Sequence, residues 1–441
     1  MRPLPPLPDW VKLEHQVAEI LTQQEIHGWR FDEQAARELE SALRREYEDT
    51  SKLLRERHAY VRGSEFCPKR SNKRTGYNKG TGITKHIEWD YNNIHYSVDV
   101  QECSFTKLKD LNPTSRDHIA WILQTHYGWT PSSMTLTGKP VIDETVLKDI
   151  GTDIALQFLT LLDLTKKLGM ISEGVNAWQK LVTRSRIHHH CSVATSTFRC
   201  AHRKPNLAQV PSDERFRKLF IAKPGSVLVG ADLSGIELRM LAHYLARYDQ
   251  GRYSKILLTG DIHQTNADRI GITRSQVKTV TYAFLYGAGD TKIGHSYDKQ
   301  LPDDRANQKG REIRKAYIDA IPGLKELLEA VHKASERGFL YGLDNRHIIV
   351  DSRHKSLNYL LQGSAATIAK RWMVLANENL TENARQVAFI HDELQFECSQ
   401  STKEDLKSLL ELTATQAGEY YNMRCPVAAE AKSGSTWADV H

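Results

Sequence analysis

Two aspartates close apolar runs far apart in the chain. Asp232 follows Val227-Leu228-Val229-Gly230-Ala231, and Asp392 follows Val387-Ala388-Phe389-Ile390-His391. Short apolar runs of this kind read as buried strands. A strand end holds a carboxylate rigidly and still lets it reach solvent. Magnesium takes hard oxygen ligands and keeps part of its water shell, so one or two carboxylates per ion suffice. Between the two aspartates, Arg274, Lys278, Tyr282 and Tyr286 recur at every fourth position. A helical step of four residues drifts by only about 40°, which puts all four side chains on one face. Two cations there can meet the phosphates of a nucleotide, and Tyr282 can stack beside its sugar or base. A lone aspartate after a strand is an ordinary turn or cap, and a basic helix face is ordinarily just wet. Occurring together, they supply what phosphoryl transfer requires.

The elements that must position these residues can be outlined from pattern. Residues 10 to 58 read as two helices parted by Gly28, and so long and charged a pair suits a lever better than a core. From Arg57 to Lys85 the chain turns basic and glycine-rich, with Arg57, Arg62, Lys69, Arg70, Lys73, Arg74, Lys79 and Lys85 against one acid, Glu65. That stretch reads as a solvated loop, a clamp on DNA or a docking loop for a partner. Helices are expected from Ser115 to Leu123 and from Asp143 to Gly169. Strand-like pieces follow at Ile187 to Thr195 and Val227 to Ala231, and helices over most of 233 to 335. A long helix from Leu357 to about Asn379 then precedes a hairpin at roughly 385 to 391 and 393 to 398.

With 441 residues the chain suggests two or three subdomains. A 40% apolar and 26% charged composition is that of a globular protein, and a net charge of +6 suits a nucleic-acid partner without requiring one. Cys67, Cys103, Cys191, Cys200, Cys398 and Cys425 form no CxxC pair, which speaks against a common zinc site or a disulfide scaffold. No apolar run reaches membrane-spanning length, so no membrane association is expected. His188-His189-His190 has no nearby acid or cysteine completing an obvious ligand set, and reads as structural or solvent-exposed.

The order and spacing of these segments carry a resemblance. Asp232-Leu233-Ser234-Gly235-Ile236-Glu237-Leu238-Arg239 resembles motif A of the family A DNA polymerases. Arg274, Lys278, Tyr282, Tyr286 and Gly287 resemble motif B, and His391-Asp392-Glu393 resembles motif C. Asn206-Leu207-Ala208-Gln209-Val210-Pro211 and Gly260-Asp261-Ile262-His263 support it, and the likeness is nearest to replicases of short-tailed bacteriophages.

The resemblance implies an α/β (α+β) right-hand fold with a palm sheet and helical thumb and fingers. The thumb would span 1–180 with a basic insertion at about 57–113, the palm 181–250 and 339–441, and the fingers 251–338. It implies primer extension with deoxynucleoside triphosphates on DNA, using two Mg2+ ions for which Mn2+ can substitute. Asp232, Asp392 and the Leu233 carbonyl would hold the metals. Arg274 and Lys278 would hold the triphosphate, with Lys278 giving a proton to pyrophosphate, and His263 would contact phosphate. Glu237 would crowd the sugar 2′ position. Tyr282 matches the tyrosine that admits dideoxynucleotides, and Tyr286 would pack near the templating base. Arg199, Asn358 and Gln362 would feel the minor groove, and His391 would sit near the primer end. The role of Glu393 stays open.

Thumb-like helices begin within ten residues of Met1, so no proofreading domain is expected in this chain, and a separate exonuclease is a possible partner. A processivity factor could use the 57–113 insertion. The expected location is the cytoplasm of an infected bacterial host. Two rivals are a single-subunit RNA polymerase or reverse transcriptase, with Glu237 arguing against ribonucleotide use, and an accessory DNA-binding subunit, which the joint presence of Asp232, Lys278 and Asp392 argues against.

Overall fold

A computed structural model describes residues 6–66, 87–91, 94–98, 105–193, 195–298 and 301–441. The central basic positions Lys69, Arg70, Lys73, Arg74, Lys79 and Lys85, on which the clamp and partner readings rest, lie outside the described residues. The chain forms two compact units, one from residues 1–39 and 170–441, the other from 40–169.

The larger unit is organised on a four-stranded antiparallel sheet. Its strands are β1 (Ser226–Leu233), β2 (Arg385–Ile390), β3 (Glu393–Ser399) and β4 (Ala429–Gly434), in the order β2-β3-β1-β4. Nearly every side chain of β2 and β3 is buried. β2 is accordingly apolar from Val387 to Ile390, whereas β3 alternates Glu393, Gln395 and Glu397 with Leu394, Phe396 and Cys398 although all of them are buried. Register matters most at one end, where Asp232 pairs with Glu393 and Ile390 with Glu393.

Five helices matter for the site: α1 (Asp9–His27), α2 (Ile236–Asp249), α3 (Arg274–Leu285), α4 (Ser356–Glu378) and α5 (Lys403–Tyr420). α4 is buried almost all round, with Trp372 fully enclosed and its indole N–H on the Leu410 carbonyl at 2.8 Å. α1 is no lever, contrary to the expectation from its charge. Leu13, Val17 and Leu21, spaced by four, enter the main core. Its acids complete the docking. Glu14 accepts from the buried Lys370 at 2.7 Å, and Asp9 accepts from Arg371 at 3.1 Å. A buried ammonium is tolerated only when paired in this way.

Helices Asp290–Tyr297 and Asp303–Ala320 cross so closely that backbone meets backbone. A Cβ on Gly294 would overlap Ala306, and one on Gly310 would overlap the Asp290 carbonyl.

The smaller unit packs Leu54, Val61, Ile119, Ile122, Leu123, Leu147, Phe158 and Leu161 into its own core. The chain does not turn to loop at Arg57 as its basic composition suggested. The Glu33–Arg57 helix ends there, and Tyr60–Phe66 pairs antiparallel with Phe105–Asp110. The helix expected over 143–169 is two, Glu144–Ile150 and Asp153–Leu168, because Gly151 ends the first in a left-handed cap.

Candidate active site

The acidic end of the sheet is built by two neighbouring strands. The Leu233 N–H donates to the Asp392 carbonyl at 3.1 Å, so Asp232, at the end of β1, and Asp392, in the turn between β2 and β3, come together. That turn has two residues, and His391 takes it with φ 59°, a left-handed conformation uncommon for a non-glycine. Gly235, at φ 57°, starts α2 immediately beyond β1 and brings Glu237 back over the same corner.

Negative charge is in excess there. Burial, then Asp392, Glu393 and Glu237, push the Asp232 carboxyl up to about 7, although its residue keeps an exposed edge. Burial and Glu237 push Asp392 up to about 6, with Arg199 opposing. Neighbouring carboxylates thus raise the cost of ionising Asp232 and Asp392, which marks a site short of positive charge. The donors are hard oxygens on a rigid corner, the chemistry that suits Mg2+ or Mn2+. Asp232 and Asp392 therefore fit a divalent cation.

Glu393 is wired differently. Its Oε1 accepts from the Trp437 indole N–H at 2.8 Å and from Gln395, and its Oε2 lies 3.1 Å from His441 Nδ1. Burial raises its proton affinity while Trp437 and Gln395 offset this. The extreme C-terminal segment thus fixes the carboxylate next to the aspartates. Nothing in the local sequence announces that link.

Glu237 is the hub of a second set. It accepts from Arg199 Nη2 at 2.9 Å and from the Tyr286 hydroxyl at 3.0 Å. Burial and Glu237 together raise the Tyr286 phenol to about 12.

α3 presents its cationic face to this region. A capping box between Thr273 and Gln276 starts it, and Val277, Val280, Thr281 and Phe284 bury the opposite face. Arg274 and Lys278 are exposed. Burial, then Glu237 and Asp392, raise the Tyr282 phenol, which places this face within electrostatic reach of the acidic corner. His263 lies beside it, with its ring 6.2 Å from that of Tyr282. Burial lowers the proton affinity of His263; Asp261 works against this, and Arg274 and Lys278 add to it.

Asp261, quoted in a supporting motif without a role of its own, has a structural one. It caps the Ile262–Ile270 helix through the Gln264 N–H at 3.0 Å and holds Arg274 Nε at 2.7 Å. On α4, Asn358 donates to the Leu285 carbonyl at 2.7 Å, tying that helix to the end of α3, and Gln362 follows one turn later. His391 packs edge-on to His202, ring centroids 6.0 Å apart. The three clustered histidines separate: His189 turns inward to Cys191 and His202, so a cysteine does complete a set that sequence spacing had seemed to lack.

An antiparallel sheet that gathers carboxylates beneath a cationic helix is the architecture of the right-hand polymerases. The POL domain of Pol1 from M. smegmatis, solved in complex with DNA primer-template and dNTP, superposes with a TM-score of 0.74 at 20% identity, covering 97% of this chain and 70% of that one. The family model described as DNA polymerase family A matches residues 91–439, and the chain belongs to that family. It is a DNA-directed DNA polymerase of the phage-like kind. The DNA-directed DNA polymerases of Enterobacteria phage T3 and Escherichia phage T7 are each 33% identical to it, across 98% of this chain and 70% of theirs. DNA polymerase I of Rhizobium leguminosarum is 26% identical over 71% of this chain and 34% of its own length. No helix among the described residues is long and apolar enough to cross a membrane.

Proposed function

We propose that this chain extends a primer on a DNA template for phage genome replication, with nucleotide addition at the corner formed by Asp232 and Asp392. The observation that carries this reading is their convergence at adjacent strand ends, with proton affinities raised by burial and by neighbouring carboxylates. Two Mg2+ ions, or Mn2+ in their place, held by these carboxylates and the Leu233 carbonyl, would supply charge stabilisation at the attacking and leaving oxygens.

The chain's own residues do the rest. Arg274 and Lys278, both exposed on the helix face, grip the triphosphate, and Lys278 protonates the departing pyrophosphate. His263 adds a neutral contact to phosphate. Glu237, held by Arg199 and Tyr286, fills the space beside the sugar 2′ position. The partners Arg199 and Tyr286 fix its rotamer, so exclusion of a 2′-hydroxyl rests on a positioned side chain. Arg199, Asn358 and Gln362 read the minor groove, and His391 lies at the primer end. In this reading the thumb spans 1–180, the palm 181–250 and 339–441, and the fingers 251–338, and closure of the fingers helix α3 selects the correct pair.

Primer extension on matched DNA and RNA templates with dNTPs or rNTPs tests this. DNA-templated dNTP addition in Mg2+ is expected, with rNTP use rising in Glu237→Ala. Preferential rNTP use by the natural chain, or an RNA template strongly preferred, would overturn it.

A further inference from the structure

The histidine triplet divides between surface and interior. His188 Nδ1 lies 2.8 Å from the Glu25 carbonyl oxygen, and His190 lies 2.8 Å from the Glu25 carboxylate and 2.9 Å from Arg203. His189 faces the other way, as alternate residues of an extended segment must. Cys191 lies two residues on and shares its side. The strand His190–Ser192 pairs with Ala201–Arg203, and His202 is the cross-strand partner of Cys191. A three-residue strand and its neighbour thus bring two imidazoles and a thiol to one face.

All three side chains are buried, His189 completely. Cys191 Sγ lies 3.2 Å from His202 Nδ1, and one donor atom from each residue falls within 4.8 Å of the others. Gln24 of α1, also buried, closes over them. Its amide nitrogen is 3.0 Å from His189 Nε2 and 3.7 Å from Cys191 Sγ. Hydrogen bonding satisfies this group only in part. His189 Nδ1 and His202 Nε2 have no hydrogen-bond partner. A buried polar atom left so is destabilising.

We propose that His189, Cys191 and His202 form a three-ligand binding site for one borderline-soft divalent cation, with Zn2+ the best match, the Gln24 NH2 that faces His189 Nε2 and Cys191 Sγ giving way as the ion enters. Imidazole and thiolate are the ligands Zn2+ prefers, whereas Mg2+ and Ca2+ select oxygen. Zinc–nitrogen and zinc–sulfur bonds of about 2.0–2.3 Å set tetrahedral donors about 3.3–3.6 Å apart. The Cys191–His202 separation is already at that scale, so closure rests on His189 drawing inward. The cation binds in place of the thiol proton, which leaves to solvent. Its site differs from the carboxylate corner in every ligand. It lies behind that corner, because His202 packs on His391, which precedes Asp392. An ion there would tie His189 to the Cys191–His202 strand pair behind the turn that carries Asp392.

Cobalt titration of the full chain tests this, with Co2+ as the spectroscopic probe. A thiolate-to-cobalt charge-transfer band in the near ultraviolet should saturate at one equivalent and be displaced by one equivalent of Zn2+. It should vanish in Cys191→Ser and survive in Asp232→Asn/Asp392→Asn. No band in the natural chain, or a band retained in Cys191→Ser, overturns the proposal. Should Cys191→Ser fail to fold, X-ray absorption of the zinc-loaded Asp232→Asn/Asp392→Asn chain decides. One sulfur with two imidazoles supports the site, and a shell of oxygen and nitrogen alone refutes it.

Discussion

Glu397 on β3 gives a quantitative test of what holds the four-stranded sheet. Its side chain is 2% exposed, yet it is charged. Burial alone would raise its proton affinity. The His27 ring at 3.6 Å, the Lys223 N–H at 2.9 Å and Arg186 at 3.2 Å reverse this and pull the carboxyl from 4.5 to about 2. A displacement of that size corresponds to about 3 kcal/mol of stability. The folded-state value lies below the unfolded one, so this contribution is complete above about pH 5 and is lost as pH falls toward 2. By linkage, roughly 0.8 kcal/mol is gone at pH 4. Glu397→Gln keeps the shape, removes the charge and leaves Arg186 without its counter-ion, at a cost of about 3 kcal/mol at pH 7. Urea unfolding of both chains at pH 7 and pH 4 reads the difference. The gap between them should narrow by roughly 0.8 kcal/mol in acid. A gap that stays constant, or widens, refutes the reasoning that this carboxylate is ionised and stabilising.

Other outcomes follow from the same geometry. Gly310→Ala forces a methyl into the Asp290 carbonyl and should destabilise the helix crossing by about 1–3 kcal/mol, seen as early loss of helical circular dichroism on heating; an unchanged transition would mean the helices can part freely. Tyr286→Phe removes one of the two donors holding Glu237 and should lower discrimination against rNTPs severalfold while leaving primer-template affinity intact, measured by single-nucleotide incorporation. Trp437→Phe deletes the indole donor to the buried Glu393 and should cost about 1–3 kcal/mol, with nucleotide addition slowed more than DNA binding is weakened; normal addition would detach the C-terminal segment from the site.

Much of the site was legible because its signals are local. Apolar runs ending in Asp232 and Asp392 read as strands, and the every-fourth-residue spacing from Arg274 to Tyr286 describes one face of α3. What escaped was non-local or weakly patterned. β4 reads Ala429-Glu430-Ala431-Lys432-Ser433-Gly434, poor strand formers, and becomes a strand by pairing with β1. α5 buries Leu406 and Leu410 but then only small residues, Thr413, Ala414 and Ala417, so its apolar stripe is faint. The contacts of Glu393 with Trp437 and of Glu237 with Tyr286 span tens of residues, and no spacing rule anticipates them. The burial of α1 was hidden by its charges, because Asp9 and Glu14 find partners on α4. The histidine triplet hid its chemistry for a different reason, since only strand pairing brings His202 opposite Cys191.

The most direct test of the central claim is single-turnover addition of one dNTP to a bound primer-template in Mg2+ by Asp232→Asn and Asp392→Asn. Both substitutions preserve shape while removing a charged oxygen. Addition should fall by at least about 10³-fold, of the order expected when a group acting in the transition state is lost, with primer-template affinity nearly unchanged. Addition within tenfold of the natural rate in either variant would contradict the assignment of this corner as the catalytic centre.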